Sequence, residues 1–148
     1  MIGAQDGLGQ RGTKSGVRSL LQNELGVALP LHISLSRSLG LRTEQKDEFF
    51  LSLKDSISGS GARAFETYFE QLQWHPNEDR TRWFLVLRVA DKDEVLLKLL
   101  HTCNSVAVKY AQPKLYEDDH AHDEMKQSSR RMSKITEKFH ISIAWSLE

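Results

Sequence analysis

The 148-residue chain contains one cysteine and three prolines, and it carries no excess charge because 20 Lys and Arg balance 20 Asp and Glu. Cys103 has no partner for an intrachain disulfide, and a cysteine-rich zinc site is excluded. No apolar run approaches the roughly 18 residues of a transmembrane helix, so no membrane partner is expected. The balanced charge disfavours nucleic-acid binding by phosphate neutralisation alone and restricts any such contact to a short, local one.

Hydrophobic residues make up 39% of the chain, as in a single globular domain whose core needs no disulfide or metal. Residues 1–16 are rich in glycine and polar side chains, which predicts a disordered tail before a domain over 17–148. Residues 117–134 consist of acids followed by bases with almost no apolar side chains. This composition is typical of an exposed insertion.

Apolar spacing and turn residues predict most of the secondary structure. The predicted elements are a short helix over 17–25 ended by Gly26, a strand over 31–36, a helix from Thr43 to about Ser58 that covers a sheet, a hairpin within 64–90, and a helix ending near Tyr110. The hairpin turn is placed at 75–79, which puts His75 in the turn. Asp91 and Glu94 resemble a capping box at the start of the last helix. Cys103 falls on the apolar face of that helix, which indicates a buried thiol.

Two segments repeat one pattern, in which a histidine and a serine alternate with apolar residues: LHISL at 31–35 and FHISI at 139–143. With the flanking apolar residues required, chance gives roughly 0.04 such matches in a chain of this composition. Residues i and i+2 of a strand lie on the same face. Each segment therefore presents an imidazole and a hydroxyl together, opposite an apolar face.

Two imidazoles and two hydroxyls that face each other are suited to displacement at phosphorus without a metal. One histidine accepts a proton from the nucleophile and the other protonates the leaving oxygen, while the hydroxyls hold phosphate oxygens. The residues alone do not decide which histidine is the base and which is the acid.

The segments LPLHISLSR and FHISIAW resemble the paired H-x-S signatures of the two-histidine phosphoesterases. Within that superfamily the chain is similar to the U6 small nuclear RNA phosphodiesterase family, over about residues 17–146. The resemblance implies an α+β fold with two pseudo-symmetric lobes of antiparallel sheet around a central cleft. It also implies a metal-independent 3′-5′ exoribonuclease, without cofactors, that trims 3′-terminal uridines of U6 RNA in the nucleus.

Carried over residue by residue, the resemblance makes His32 and His140 the catalytic pair and Ser34 and Ser142 the phosphate holders. It suggests His140 as the base and His32 as the acid. Tyr116 is the match to a tyrosine that stacks on the terminal base. We expect a monomer that binds RNA 3′ ends, oligouridine included, and requires no protein partner; the RNA retains a cyclic phosphate or phosphate end.

Four alternatives remain open. The same four residues would serve a 2′,3′-cyclic phosphodiesterase acting on other RNA ends, or a catalytically weak nucleotide-binding module. Tyr68 and Trp74 are further candidates for base stacking. A metal cluster around His120 and His122 is the least favoured, because we expect their segment to be a solvated acidic loop. His101 is expected on a helix surface.

Members of the family begin with a strand before the position of Val17, and residues 1–16 carry no strand pattern here. We therefore expect one lobe to lack its N-terminal strand. A neighbouring strand would then have unpaired backbone groups, which favours self-association or low stability.

Overall fold

The fold is described by a computed structural model for residues 16–77, 79–116 and 134–147. Its strands and helices follow in the order β1 (Arg18–Ser19), α1 (Lys46–Gly59), β2 (Phe69–Pro76), β3 (Trp83–Val89), α2 (Val95–Lys109) and β4 (His140–Ser146). The strands form one sheet in the order β1-β4-β3-β2, with antiparallel pairing throughout. The predicted α+β class with an antiparallel sheet is confirmed. The division into two lobes stays a prediction.

The predicted hairpin is formed by β2 and β3, and its turn is organised by Asn77. The side-chain oxygen of Asn77 accepts hydrogen bonds from the backbone N–H groups of Thr81 at 2.9 Å and Arg82 at 3.1 Å. These bonds fix the register that pairs Pro76 with Trp83 and His75 with Phe84. The placement of His75 in the turn was wrong, because the turn begins at Asn77 and β2 continues through the histidine.

Helix α2 covers one face of the sheet and supplies half of the buried hydrophobic residues in the described part of the chain. Leu96, Leu97 and Leu100 are buried against Val89 and Phe139. The predicted capping box is wrong, because the N-cap is Glu94 and the helix begins at Val95. Both carboxylate oxygens of Asp91 nevertheless accept hydrogen bonds from its first turn, from Leu96 N at 2.9 Å and Leu97 N at 2.8 Å. A capping carboxylate at this position also interacts favourably with the positive end of the helix dipole. Cys103 is buried, as predicted.

Helix α1 follows a 3-10 turn at Thr43–Gln45, close to the predicted bounds. It packs on α2, and its predicted cover of the sheet stays a prediction. Phe49, its one buried residue, meets the ring of Tyr110 edge-on, with 5.2 Å between the ring centroids. No helix in the described part of the chain is long and apolar enough to cross a membrane.

The helix predicted over 17–25 is absent, and the segment pairs with the sheet instead. Arg18 and Ser19 lie opposite Trp145 and Ala144 on β4, and Leu20 N donates to Ile143 O at 2.8 Å. A helix of nine residues is too short to be stable without packing. Pairing with the free edge of β4 satisfies backbone groups that would otherwise lack partners.

A short hairpin loop follows β1 and brings the chain back to the same edge of β4. Gln22 and Ala28 form an isolated antiparallel bridge, and Gly26 takes the left-handed conformation that the turn requires, with φ 75°. Further along, Ile33 bridges Ile141 in the antiparallel sense. The predicted strand over 31–36 is therefore reduced to one bridging residue, Ile33.

Candidate active site

The two H-x-S tripeptides lie side by side at the edge of the sheet. Their central residues, Ile33 and Ile141, pair as an antiparallel bridge, and both isoleucines pack against the core beside α2. Extending this register by one residue in each direction sets His32 opposite Ser142 and Ser34 opposite His140. The alternation of neighbouring residues in a strand would place all four polar residues on the face that points away from the core.

The spacing of a regular antiparallel pair would bring both imidazoles within the range of one phosphodiester group. Directly opposite residues of such a pair are about 4.5–5.5 Å apart, and diagonal neighbours are about 7–8 Å apart. His32 and His140 are diagonal in the extended register. Regular pairing would therefore set each histidine near the hydroxyl of the other tripeptide.

The two halves of the site differ in burial. His32 and Ser34 are exposed, whereas His140 and Ser142 are half-buried because β3 flanks them on the other side. Arg88 and Val86 of β3 lie opposite His140 and Ser142. The solvent-exposed histidine is accessible to a leaving group, and the half-buried one has a more restricted orientation.

The orientation of His140 is set by a hydrogen bond to the backbone. Its Nδ1 lies 2.7 Å from the carbonyl oxygen of Lys138. Because a carbonyl oxygen can only accept, Nδ1 carries the proton, and in the neutral ring Nε2 is left with the free lone pair. The ring is thereby prepared to accept a proton at Nε2.

A cleft of about 380 Å³ opens beside His140 between β2, β3 and residues 134–138. Its lining is predominantly polar and cationic, and consists of Gln73, His75, Arg88, Lys134, Glu137, Lys138 and His140. Arg88 also forms an ion pair with Glu70, with 2.7 Å between Nη2 and Oε2. An excess of basic side chains at this position favours an anionic ligand.

Tyr116 contacts the same backbone carbonyl that binds His140, since its hydroxyl donates to Lys138 O at 3.2 Å. Its half-buried ring meets Phe139 edge-on at 6.2 Å between centroids, and Lys138 Nζ lies 5.4 Å from the centre of the ring. Burial raises the pKa of the phenol above its ordinary value. Tyr116 also has a left-handed backbone, with φ 62°, which the bidentate amide contact between Asn104 and Leu115 holds in place.

The other sequence candidates either do not line this cleft or lie outside the described residues. Tyr68 and Trp74 are about half exposed, and Lys92 Nζ lies 4.6 Å from the centre of the Tyr68 ring. His101 is exposed on α2, as predicted. Within the ranges described, no three His, Cys, Asp or Glu residues come close enough to hold a metal ion; His120 and His122 are not among those residues.

The sequence did not reveal His75, whose imidazole stacks on that of His140. The ring centroids are 5.9 Å apart and the ring planes are inclined by 16°. Asn77 could have indicated that His75 lies in the strand, because asparagine favours the first position of a turn. With the turn started at Asn77, the hairpin register places His75 on the same face as Gln73 and Gln71.

An antiparallel sheet with paired H-x-S tripeptides at neighbouring positions defines the class of two-histidine phosphoesterases. A family model described as "HVSL: Uncharacterised conserved protein" matches residues 4–148. The chain belongs to this family, and the curated relatives that bear the name U6 snRNA phosphodiesterase agree with the resemblance of its motifs.

Two curated relatives share this family. The U6 snRNA phosphodiesterase 1 of Neurospora crassa is 33% identical over 141 residues, which is 86% of this chain and 35% of that protein. The protein of the same name from Drosophila melanogaster is 32% identical over 88 residues, covering 59% of this chain and 33% of the relative. The chain thus spans about a third of the length of these relatives.

Solved structures support the same fold. Kluyveromyces marxianus Usb1 with uridine monophosphate superimposes with a TM-score of 0.57 at 17% identity, over 88% of this chain and 54% of that one. A second structure of the same protein gives a TM-score of 0.52, also at 17% identity, over 88% of this chain and 53% of the other. At this identity the likeness concerns the fold.

Proposed function

We propose that this chain is a phosphodiesterase that shortens RNA from its 3′ end, with the uridine-rich end of U6 snRNA as substrate. The observation that carries the proposal is the Ile33–Ile141 bridge, because its register brings an imidazole and a hydroxyl of each tripeptide to one face. The names of the curated relatives and the uridine monophosphate held by the solved relative support the substrate. A U6 substrate implies a nuclear role.

In the proposed reaction, the neighbouring 2′-hydroxyl attacks the last phosphodiester group. His140 accepts the proton of that hydroxyl at Nε2, the new bond from O2′ to phosphorus forms, and the bond from phosphorus to the 5′ oxygen breaks. His32 donates a proton to the departing oxygen. The products are an RNA with a 2′,3′-cyclic phosphate and the terminal nucleoside with a free 5′-hydroxyl, so atoms and charge balance.

The contact between His140 Nδ1 and the carbonyl of Lys138 supports the assignment of His140 as the base. It leaves Nε2 as the acceptor and holds the ring at a fixed angle. His32 is the more exposed of the pair, which suits exchange of its proton with solvent between turnovers. Ser34 and Ser142 supply hydroxyl donors to the phosphate oxygens.

Tyr116 completes the proposal as the stacking partner of the terminal base. Its ring is half-buried and lies next to Lys138 and Phe139, which directly precede His140. A base on this ring would place the last phosphodiester group close to the catalytic histidine. Base–aromatic stacking contributes about 1–3 kcal/mol per base.

The proposal is tested with the full chain and an RNA that ends in several 3′ uridines, incubated in EDTA and followed by mass analysis of the ends. We expect stepwise shortening by one nucleotide and a cyclic phosphate or phosphate on the retained RNA. His32→Ala and His140→Ala should each lower turnover by about 10²–10⁴, the usual value of an acid–base step. Ser34→Ala and Ser142→Ala should lower it less.

The matched control is His101→Ala, which removes an exposed imidazole from the surface of α2 and should leave turnover unchanged. Full activity in either His32→Ala or His140→Ala would overturn the proposal. Opening of preformed cyclic ends without shortening would identify a cyclic phosphodiesterase, and RNA binding without turnover would identify a binding module. Activity lost in EDTA and restored by zinc or manganese would point to His120 and His122.

A further inference from the structure

His75 is a third histidine at the site, and it comes from the strand at the opposite edge of the sheet. It lies on the edge strand β2 opposite Phe84, whereas His140 lies on β4 opposite Arg88. The two imidazoles reach towards each other across β3 and stack with 5.9 Å between their centroids and 16° between their planes. Parallel, offset rings at this separation are a preferred aromatic contact.

The orientation of His75 is also fixed by its own backbone. Its Nδ1 lies 2.8 Å from the carbonyl oxygen of Pro76, so Nδ1 is the donor and the bond restrains the exposed ring. The hairpin turn at Asn77 in turn fixes Pro76 against Trp83. Each imidazole therefore has one backbone hydrogen bond, and the stacking contact restrains both rings further.

We propose that His75 is a positioning residue for His140. The carbonyl of Lys138 holds one edge of the His140 ring at Nδ1, and this single contact leaves the ring free to rotate about the axis of the hydrogen bond. The stacked imidazole of His75 removes that freedom by packing on the face of the ring. Together the two contacts set the direction in which Nε2 points. This inference rests on the proposed function, in which His140 is the base.

The charged neighbours of the pair do not provide an equivalent constraint. Arg88 is engaged with Glu70, and Lys134, Glu137 and Lys138 line the other wall of the cleft. Within the described residues, no other aromatic ring stacks on His140. Loss of the His75 ring therefore removes the one aromatic ring that stacks on His140 among the described residues.

The kinetic test compares His75→Ala with His75→Phe on the oligouridine RNA. His75→Ala should lower kcat by about 10-fold, less than the loss of the base itself, with KM within about 2-fold of wild type. His75→Phe keeps a flat ring without ring nitrogens and should retain kcat within about 3-fold. Leu72→Ala, at an exposed residue on the opposite face of the same strand, is the control for damage to β2.

Two measurements separate positioning from substrate contact. The Kd for an RNA with a 2′-deoxy residue at the attacking position, which cannot react, should be the same for wild type and His75→Ala. In NMR spectra of the free protein, the ring resonances of His140 should move in His75→Ala and remain in place in Leu72→Ala. Unmoved His140 resonances, a Kd or KM that rises while kcat is kept, or a His75→Phe variant as impaired as His75→Ala would each overturn the proposal.

Failure of this proposal is distinguishable from failure of the proposed function. If the wild-type chain does not shorten RNA, or if His140→Ala is fully active, the proposed function is wrong whatever His75 does. The NMR comparison needs no turnover, so it tests the contact between the two rings in either case.

Discussion

Phe139 connects the core to the candidate active site, and its truncation is the sharpest test of how the site is held. The side chain is fully buried, at 0% exposure, in the cluster formed with Leu96, Leu97, Leu100 and Val89. Its backbone lies between the carbonyl that binds His140 and His140 itself. A change at Phe139 therefore affects both the stability of the sheet and the position of His140, the proposed base.

Phe139→Ala should destabilise the fold by about 3–5 kcal/mol, since it removes the transfer free energy of a buried ring and leaves a cavity. For a domain of this size each kcal/mol lowers Tm by about 2–4 °C, so the expected fall is about 6–20 °C. Phe139→Leu retains most of the apolar volume and should cost clearly less. Urea titration followed by tryptophan fluorescence gives the free energy of unfolding directly.

The matched control is Phe50→Ala, the same substitution at a phenylalanine that is 64% exposed on α1. It should change stability by no more than about 0.5 kcal/mol. In Phe139→Leu, measured well below its melting temperature, kcat on oligouridine RNA should still fall by about 10-fold, because small displacements of a catalytic group are costly. Equal destabilisation in Phe139→Ala and Phe50→Ala, or unchanged kcat in Phe139→Leu, would refute this account.

Three further predictions concern Tyr116, Cys103 and Asp91. If the Tyr116 ring stacks on the terminal base, Tyr116→Ala should raise KM by the equivalent of about 1–3 kcal/mol. Tyr116→Phe loses only the hydrogen bond to the Lys138 carbonyl and should leave KM near wild type. Equal KM in both variants and wild type would return the stacking role to Tyr68 or Trp74. Burial raises the pKa of both Cys103 and Tyr116. The stability of the fold should therefore be fully present below the unfolded pKa of the thiol and fall as pH rises from about 9 through the raised pKa values. Cys103→Ala should make this alkaline decline of the melting temperature less steep, and an unchanged slope would contradict the prediction. Asp91→Ala removes the cap of α2 and should cost about 0.5–2 kcal/mol by urea titration, with Asp93→Ala as the exposed control; equal effects of the two substitutions would show that the cap is not stabilising.

The sequence predicted the elements whose pattern is determined locally. Helix α2 has both an apolar face and an acidic cap at Asp91, and the hairpin has turn residues between two strand-forming segments. Residues 17–25 have the apolar spacing of a helix, but the segment pairs with β4 instead. The open edge of a strand offers backbone partners that no local sequence pattern reveals. The outcome at this segment was decided by tertiary structure.

The residues of the candidate site also fall into those that a local sequence pattern indicates and those that depend on tertiary structure. His32 and His140 were identified because each stands in a strict alternation with apolar residues, and that alternation needs no knowledge of the fold. His75 was missed because its role depends on the register of β2 against β3, and a shift of the turn by two residues hides it. The carbonyl of Lys138 is a backbone group, and no side-chain pattern could have indicated that it contacts both His140 and Tyr116.

The register of Ile33 against Ile141 explains why the two H-x-S tripeptides are centred on a large apolar residue. A slip of one residue between the two segments would turn His32 or His140 towards the core and expose an isoleucine, since side chains alternate between faces. Burying an unpaired imidazole and exposing an isoleucine are both unfavourable. The hydrophobic contact of the two isoleucines with the core beside α2 therefore selects the one register in which both imidazoles and both hydroxyls share the outer face. In this arrangement the geometry needed for phosphoryl transfer is a consequence of packing on the opposite side of the sheet.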